Sequence, residues 1–131
     1  MQFRNPAGVH APVAAYSHQV EVPTGARWLV LAGQVGMYPD GSLPSDPAEQ
    51  LEVALDNVRR NLEAANMAIG DIVKITTYLV GEVDPDRRRQ IFSAFLGDHR
   101  PCTTLLYVSA LGTPLLKAEV DAWAAREMPV S

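Results

Sequence analysis

A carboxylate inside an apolar strand is costly unless it faces water, pairs with a cation, or works on a substrate. The chain carries such a group at Glu119, within LLKAEVDAWAA near its C-terminal end. Strand alternation puts Lys117, Asp121 and Trp123 on the same face, so a solvated sheet face competes with a working carboxylate at this position. Three other features could belong with it: Tyr16 in AYSHQV, the glycines Gly33 and Gly36 of LAGQVG, and Thr103 in HRPCTTLLYV. A tyrosine here is either a packing aromatic or a proton carrier. Glycines within a strand mark a bulge or a close backbone approach. Threonine brings one neutral hydroxyl.

Other chemistries find little support. There is no G-x-S-x-G elbow, phosphate-binding P-loop, dinucleotide G-x-G-x-x-G, CxxC or H-E-x-x-H. His10, His18 and His99 are too scattered to imply a metal by spacing, and none is expected. Cys102 has no visible base, so it reads as a buried, inert thiol at a strand start. The run Arg87, Arg88, Arg89 falls in the first turn of a predicted helix, the unfavourable end for cations. A solvated face is the ordinary reading of such a run, with a phosphate site as the alternative.

The elements that must position these residues follow from composition and pattern. A chain of 131 residues, 47% apolar and 20% charged, is expected to form one domain over residues 1–131. Its net charge of -4 gives no electrostatic support for nucleic acid or an anionic membrane as partner. A single cysteine favours a reducing compartment, and MQFRNPAGVH carries no apolar signal core, so a cytoplasmic protein is expected.

YSHQVEV alternates and predicts a strand over Tyr16–Val22. PTGA turns the chain into RWLVLAGQVGM, whose apolar run predicts a strand buried on both faces and paired with the first as a hairpin. Asp46, Pro47 and Glu49 form a helix start. Leu51, Leu55, Val58, Leu62, Ala65 and Ile69 then line one helical face, with Gly70 placed to stop it. DIVKITTYLV is β-branched and alternating. A second helix runs from cap Asp84 and Pro85 to Gly97, with Ile91, Phe92, Phe95 and Leu96 facing inward. CTTLLYVSAL and LLKAEVDAWAA complete a β-β-α-β-α-β-β order. This order predicts an α+β domain, a mixed sheet with both helices on one face. The other face, with Trp28 and Trp123 as candidate occupants, would stay bare in a monomer and favours oligomerisation.

The order of AYSHQV, LAGQVG, a long helix leading into NLEAANMAIGDIVKITTYLV, FSAFLGDHRPCTT and LLKAEVDAWA resembles the Rid family from about Asn5 to Arg126. These are the reactive-intermediate imine deaminases, also called YjgF or endoribonuclease L-PSP-like proteins. The resemblance implies a chorismate-mutase-like fold and a homotrimer with ligand clefts at the subunit interfaces. It also implies hydrolysis of imines and enamines such as 2-aminoacrylate, without metal or organic cofactor. By position, Tyr16 matches a cleft tyrosine and Glu119 a glutamate thought to position or activate water, a role suited to hydrolysis at an electrophilic carbon. Ala32 and Gly33 match a serine-glycine pair whose backbone approaches the ligand; here the hydroxyl is absent.

Thr103 departs from the pattern. Deaminase-type members carry an arginine there, whose planar fork grips the substrate carboxylate. Losing one partner of a desolvated charge pair costs about 2–5 kcal/mol. The expectation is therefore a hydrolase or deaminase-like protein acting on an imine, enamine or related small compound, but not the typical 2-aminoacrylate deaminase. Arg100, two residues before Cys102, is a candidate substitute cation. A non-catalytic ligand-binding or scaffolding trimer is the alternative. A ribonuclease or translation inhibitor is a weaker one, given the acidic balance.

Overall fold

Asp46 and Pro47 open the first helix as their types require. The Asp46 carboxylate accepts a hydrogen bond from the Ala48 N–H at 3.2 Å, and α1 runs Pro47–Ala64. Its inward stripe, including Leu51, Leu55, Val58 and Leu62, is removed from solvent. Burial of side chains this size stabilises by about 1.5–3 kcal/mol each. The helix ends before Gly70: Asn66 adopts the left-handed conformation at φ 56°, and Gly70 sits in a separate 3-10 turn, Ile69–Asp71. Asn tolerates that conformation because its short polar side chain can bond locally, so it stops the helix where a glycine was expected to. The second helix, α2 (Pro85–Leu96), begins at the Asp84 cap and ends at Gly97, as its sequence predicts.

The computed structural model, described for residues 1–129, sets these helices on a mixed sheet. The strands are β1 (Gln2–Arg4), β2 (Gln19–Glu21), β3 (Arg27–Val30), β4 (Gln34–Val35), β5 (Ile72–Leu79), β6 (Cys102–Tyr107) and β7 (Ala118–Arg126). The main sheet has the order β3-β7-β5-β6, with β4 also paired to β7; β5 and β6 are parallel and the other pairs antiparallel. Ile75 and Leu79 of β5 and Ala118, Val120, Ala122 and Ala124 of β7 meet α1 in one core. Ile91, Phe92 and Phe95 of α2 pack against that core. The domain is thus α+β, two helices on one face of a mixed sheet.

Two strand expectations fail. The predicted hairpin does not form: β2 pairs with β1, and β3 pairs with β7. Alternation tells which residues share a face, but it does not name the partner strand. Nor is the RWLVLAGQVGM run buried on both faces. It splits into β3 and β4, and Trp28 and Val30 are about half exposed, at 50% and 54%. Their face is the one without helices, where Trp123 meets Trp28 edge to face with ring centroids 6.0 Å apart. Two tryptophans are therefore on the bare face, as the sequence suggests. No helix is long and apolar enough to cross a membrane among the described residues.

Candidate functional site

Glu119 lies on the open face. In β7 its neighbours Ala118 and Val120 are fully buried toward the helices, so alternation turns Glu119 outward. Its cross-strand partners are Val35 and Tyr78. The carboxylate packs directly on the backbone of Gly33: a Cβ at that position would stand 2.5 Å from Glu119 Oε2. Gly33 is thus a close-approach glycine, and Ala32 beside it accepts a hydrogen bond at its carbonyl from Gln34 Nε2 at 3.0 Å. Gln34 is held in turn by Asn61 of α1, and Asn57 of α1 donates to the carbonyls of Val35 and Met37. This ladder of amides fixes the glycine turn against the helix while leaving the Glu119 side free.

Tyr78 and Asp121 share that face. The Tyr78 hydroxyl donates to Asp121 Oδ2 at 3.1 Å. That hydrogen bond, the negative charge of Asp121, burial and then Glu119 together hold the Tyr78 phenol above its ordinary value. Tyr78 was not singled out from sequence; its place in an alternating strand opposite Glu119 is the only signal that could have found it.

Thr103 and Tyr16 are elsewhere. Thr103 pairs with Ile75 and Leu105 with Thr77, so both face the helix side of the sheet, at its β6 edge. There they line a cavity of about 540 Å3 with Tyr16, Arg100 and one side of α2. Tyr16 precedes β2 rather than lying within it, contrary to the predicted strand, and its phenol oxygen accepts from the Val13 N–H at 3.3 Å. Buried Ser17 brings it there, donating its hydroxyl to the Arg100 carbonyl at 2.6 Å and its N–H to the Pro101 carbonyl at 3.2 Å. Ser17 was not picked out from sequence, since a serine beside an aromatic carries no chemical signature.

Within one chain, Tyr16, Thr103 and Arg100 therefore come together, and Ala32, Gly33 and Glu119 come together, on opposite faces of the sheet. Thr103 spends its hydroxyl proton on the Pro101 carbonyl at 3.2 Å, leaving a neutral acceptor toward the cavity. Arg100 lies at the cavity with its guanidinium bonded to the carbonyls of Gly97 and His99.

The arginine run does not form a uniform solvated face. Arg87 is an interhelix clasp: it bonds Asp46 Oδ2 at 2.6 Å and approaches Glu52 at 3.6 Å. That bond pulls the Asp46 carboxyl below its ordinary range. Arg88 and Arg89 instead reach the cavity beside Thr103. A helix turns about 100° per residue, which lets Arg87 point toward the start of α1 while the two arginines after it reach the cavity.

The histidines are spent on structure. His18 Nε2 donates to the His10 carbonyl and His99 Nε2 to the Ile72 carbonyl, each at 2.7 Å. The His18 ring stacks edge-on with both His10 and Tyr16. No three His, Cys, Asp or Glu side chains converge as a metal site among the described residues. Burial pushes the Cys102 thiol up, which keeps it protonated and poorly nucleophilic.

Comparison with known proteins gives one pattern. The family model described as endoribonuclease L-PSP matches residues 8–126. A 2-iminobutanoate/2-iminopropanoate deaminase of Escherichia coli is 31% identical over 121 residues, 89% of this chain and 93% of the relative. A RutC family protein of Pyrococcus abyssi is 28% identical over 118 residues, 88% of this chain and 90% of the relative. Among solved structures, the Rid-family protein YyfB of Yersinia pestis superposes with a TM-score of 0.83 at 29% identity, covering 95% of this chain and 98% of that one. The YjgF gene product of Escherichia coli gives 0.70 at 28%, covering 97% and 100%.

Proposed function

The chain belongs to the endoribonuclease L-PSP family, the Rid proteins, and from that premise we propose that it is a hydrolytic deaminase of a small imine or enamine. Its working cleft forms where the open face of one copy meets the Thr103 cavity of another, in a homotrimer. The observation that carries this reading is the seating of the Glu119 carboxylate on the bare backbone of Gly33. A carboxylate held at a glycine, on a face with no covering element, is set to receive a substrate or a water alongside a backbone group. Hydrolysis of C=N needs that: a base takes a proton from water as its oxygen adds to the imine carbon, and the nitrogen leaves as ammonia once protonated. Tyr16, held by Ser17 at the cavity, is the candidate proton carrier on the other side.

The chain offers two incomplete halves, and exposed Trp28, Val30 and Trp123 on the open face supply the apolar surface that a second copy would cover. The similarity to a 2-iminobutanoate/2-iminopropanoate deaminase suggests the reaction type. With threonine at 103, the usual carboxylate grip is lost, and 2-aminoacrylate itself is expected to be a poor substrate. The test is ammonia release from freshly generated imines, with Glu119→Gln as the variant. Turnover should fall at least about a hundredfold with the oligomeric mass unchanged. Wild-type turnover in that variant sinks the role of Glu119, and no ammonia from any imine in a panel favours the non-catalytic binding reading.

A further inference from the structure

The protein is acidic overall, with 15 Asp and Glu against 11 Lys and Arg, yet the cavity beside Thr103 is lined by three arginines and no carboxylate. The three are not equivalent. Arg89 is neutralised by an ion pair with Asp86. Arg88 donates to the Tyr107 hydroxyl, and Arg100 to the carbonyls of Gly97 and His99, all uncharged acceptors. Neither has a carboxylate partner among the described residues, a state shared only with Arg27 of β3, whereas Arg4, Arg59, Arg60, Arg87 and Arg126 all have one. Each guanidinium has five donors, so both keep N–H groups free for an anion.

Much of the remaining wall is apolar: Phe92 and Leu96 of α2, Leu105 of β6 and Val13 of the N-terminal segment line it, beside the hydroxyls of Tyr16, Ser93 and Thr103. Within one chain the cavity measures about 540 Å3, room for a ring-sized organic molecule as well as for a three-carbon acid. Such a wall wants an apolar body, and the two unneutralised guanidiniums want a negative head.

We infer that this cavity binds an organic acid, a carboxylate on a ring-sized apolar body, and that Arg88 on α2, assisted by Arg100, grips the anion in place of a cation at position 103. The inference rests on reading the cavity as the substrate-binding half of the cleft, and it names the substrate class: imino acids with large apolar side chains. Arg88 leads because it is half-buried beside the apolar wall, and its one bonded partner is a phenol that can rotate away. The Arg100 side chain is more exposed and tied to two backbone carbonyls.

Binding is measured by calorimetry with 3-phenylpropanoate, its uncharged amide 3-phenylpropanamide, and acetate, on the wild-type chain, Arg88→Gln, Arg88→Lys and Arg100→Gln. The phenyl acid should bind at least about tenfold more tightly than either the amide or acetate. Arg88→Gln should weaken the acid about tenfold or more without changing the amide, Arg88→Lys should restore part of the loss, and Arg100→Gln should have the smaller effect. Circular dichroism and oligomeric mass check that the variants fold. Equal binding of acid and amide, no binding of the acid, or an unchanged acid affinity in folded Arg88→Gln overturns the inference. Calorimetry does not depend on turnover. Acid binding without ammonia release defeats the deaminase reading alone, and imine turnover with an indifferent Arg88 defeats this inference alone.

Discussion

The two faces of the sheet are built on different terms. Toward the helices, β5 and β7 present Ile75, Leu79, Val120 and a run of alanines, and α1 covers them with a complete aliphatic stripe. Toward the other side the same strands present Tyr78, Glu119, Asp121 and Trp123, with Trp28 and Val30 of β3 alongside. Over β5 and β7 the first face is finished within one chain, and only at its β6 edge does the cavity beside Thr103 stay open. The second combines exposed apolar area with carboxylates, the composition that the proposed cleft between copies requires. Along β7 the two tasks alternate: Ala118, Val120, Ala122 and Ala124 close the core, and Glu119 carries the proposed chemistry on the opposite face.

The largest effect that tests this separation comes from emptying the closed face. Leu62→Ala or Ile75→Ala should lower unfolding free energy by about 2–5 kcal/mol, read from the shift in urea midpoint. Trp123→Ser, on the open face, should leave the folded chain intact while shifting its mass by light scattering from oligomer toward monomer. If Trp123→Ser unfolds the chain as Leu62→Ala does, the two faces are not independent.

Gly33 and Gly36, three residues apart, sharpen the comparison with a smaller effect. A Cβ at Gly36 would lie 2.4 Å from the Gln50 carbonyl oxygen of α1, and neither backbone can yield easily. Gly36→Ala should therefore cost about 1–3 kcal/mol. At Gly33 the obstacle is the end of the Glu119 side chain, which can swing aside. Gly33→Ala should change stability by less than about 0.5 kcal/mol yet displace the carboxylate and abolish imine hydrolysis. Equal melting temperatures for the two variants would show that α1 does not need the close approach of β4.

The smallest effect belongs to the clasp between the helices. The Arg87 hydrogen bond lowers the Asp46 pKa in the folded chain from its ordinary 3.8. The charged form is thus favoured by folding, and its contribution is present above 3.8 and lost as pH falls through the depressed value. Asp46→Asn keeps a helix cap but removes the charge. It should melt below wild type at about pH 6, and the two curves should converge once pH falls below the depressed Asp46 value. A gap that persists in acid would assign the loss to the cap geometry rather than to the ion pair.

Much of this architecture is legible in one dimension. Both helices announce themselves by Asp-Pro starts and i, i+4 apolar spacing, and the alternation of β7 separates its buried alanines from Glu119, Asp121 and Trp123 without any structure. These are local rules: a cap satisfies its own helix end, and a pleat sends neighbours to opposite faces. The partners of β2 and β3 were not legible, because pairing depends on which distant strand offers a matching edge. Neither was the division of labour among Arg87, Arg88 and Arg89, identical residues whose roles depend on what α1 and β6 place opposite each.

The amino-acid order by itself determined the helices, the inward faces and the isolated carboxylate at Glu119, since each follows from contacts within a few residues. Only the tertiary structure decided that Glu119 sits on Gly33, that Thr103 shares a cavity with Arg88 and Arg100, and that these two places lie on opposite sides of the sheet. Sequence spacing sets reach along the chain; juxtaposition between distant segments is set by how their apolar faces pack, and that is a property of the whole core.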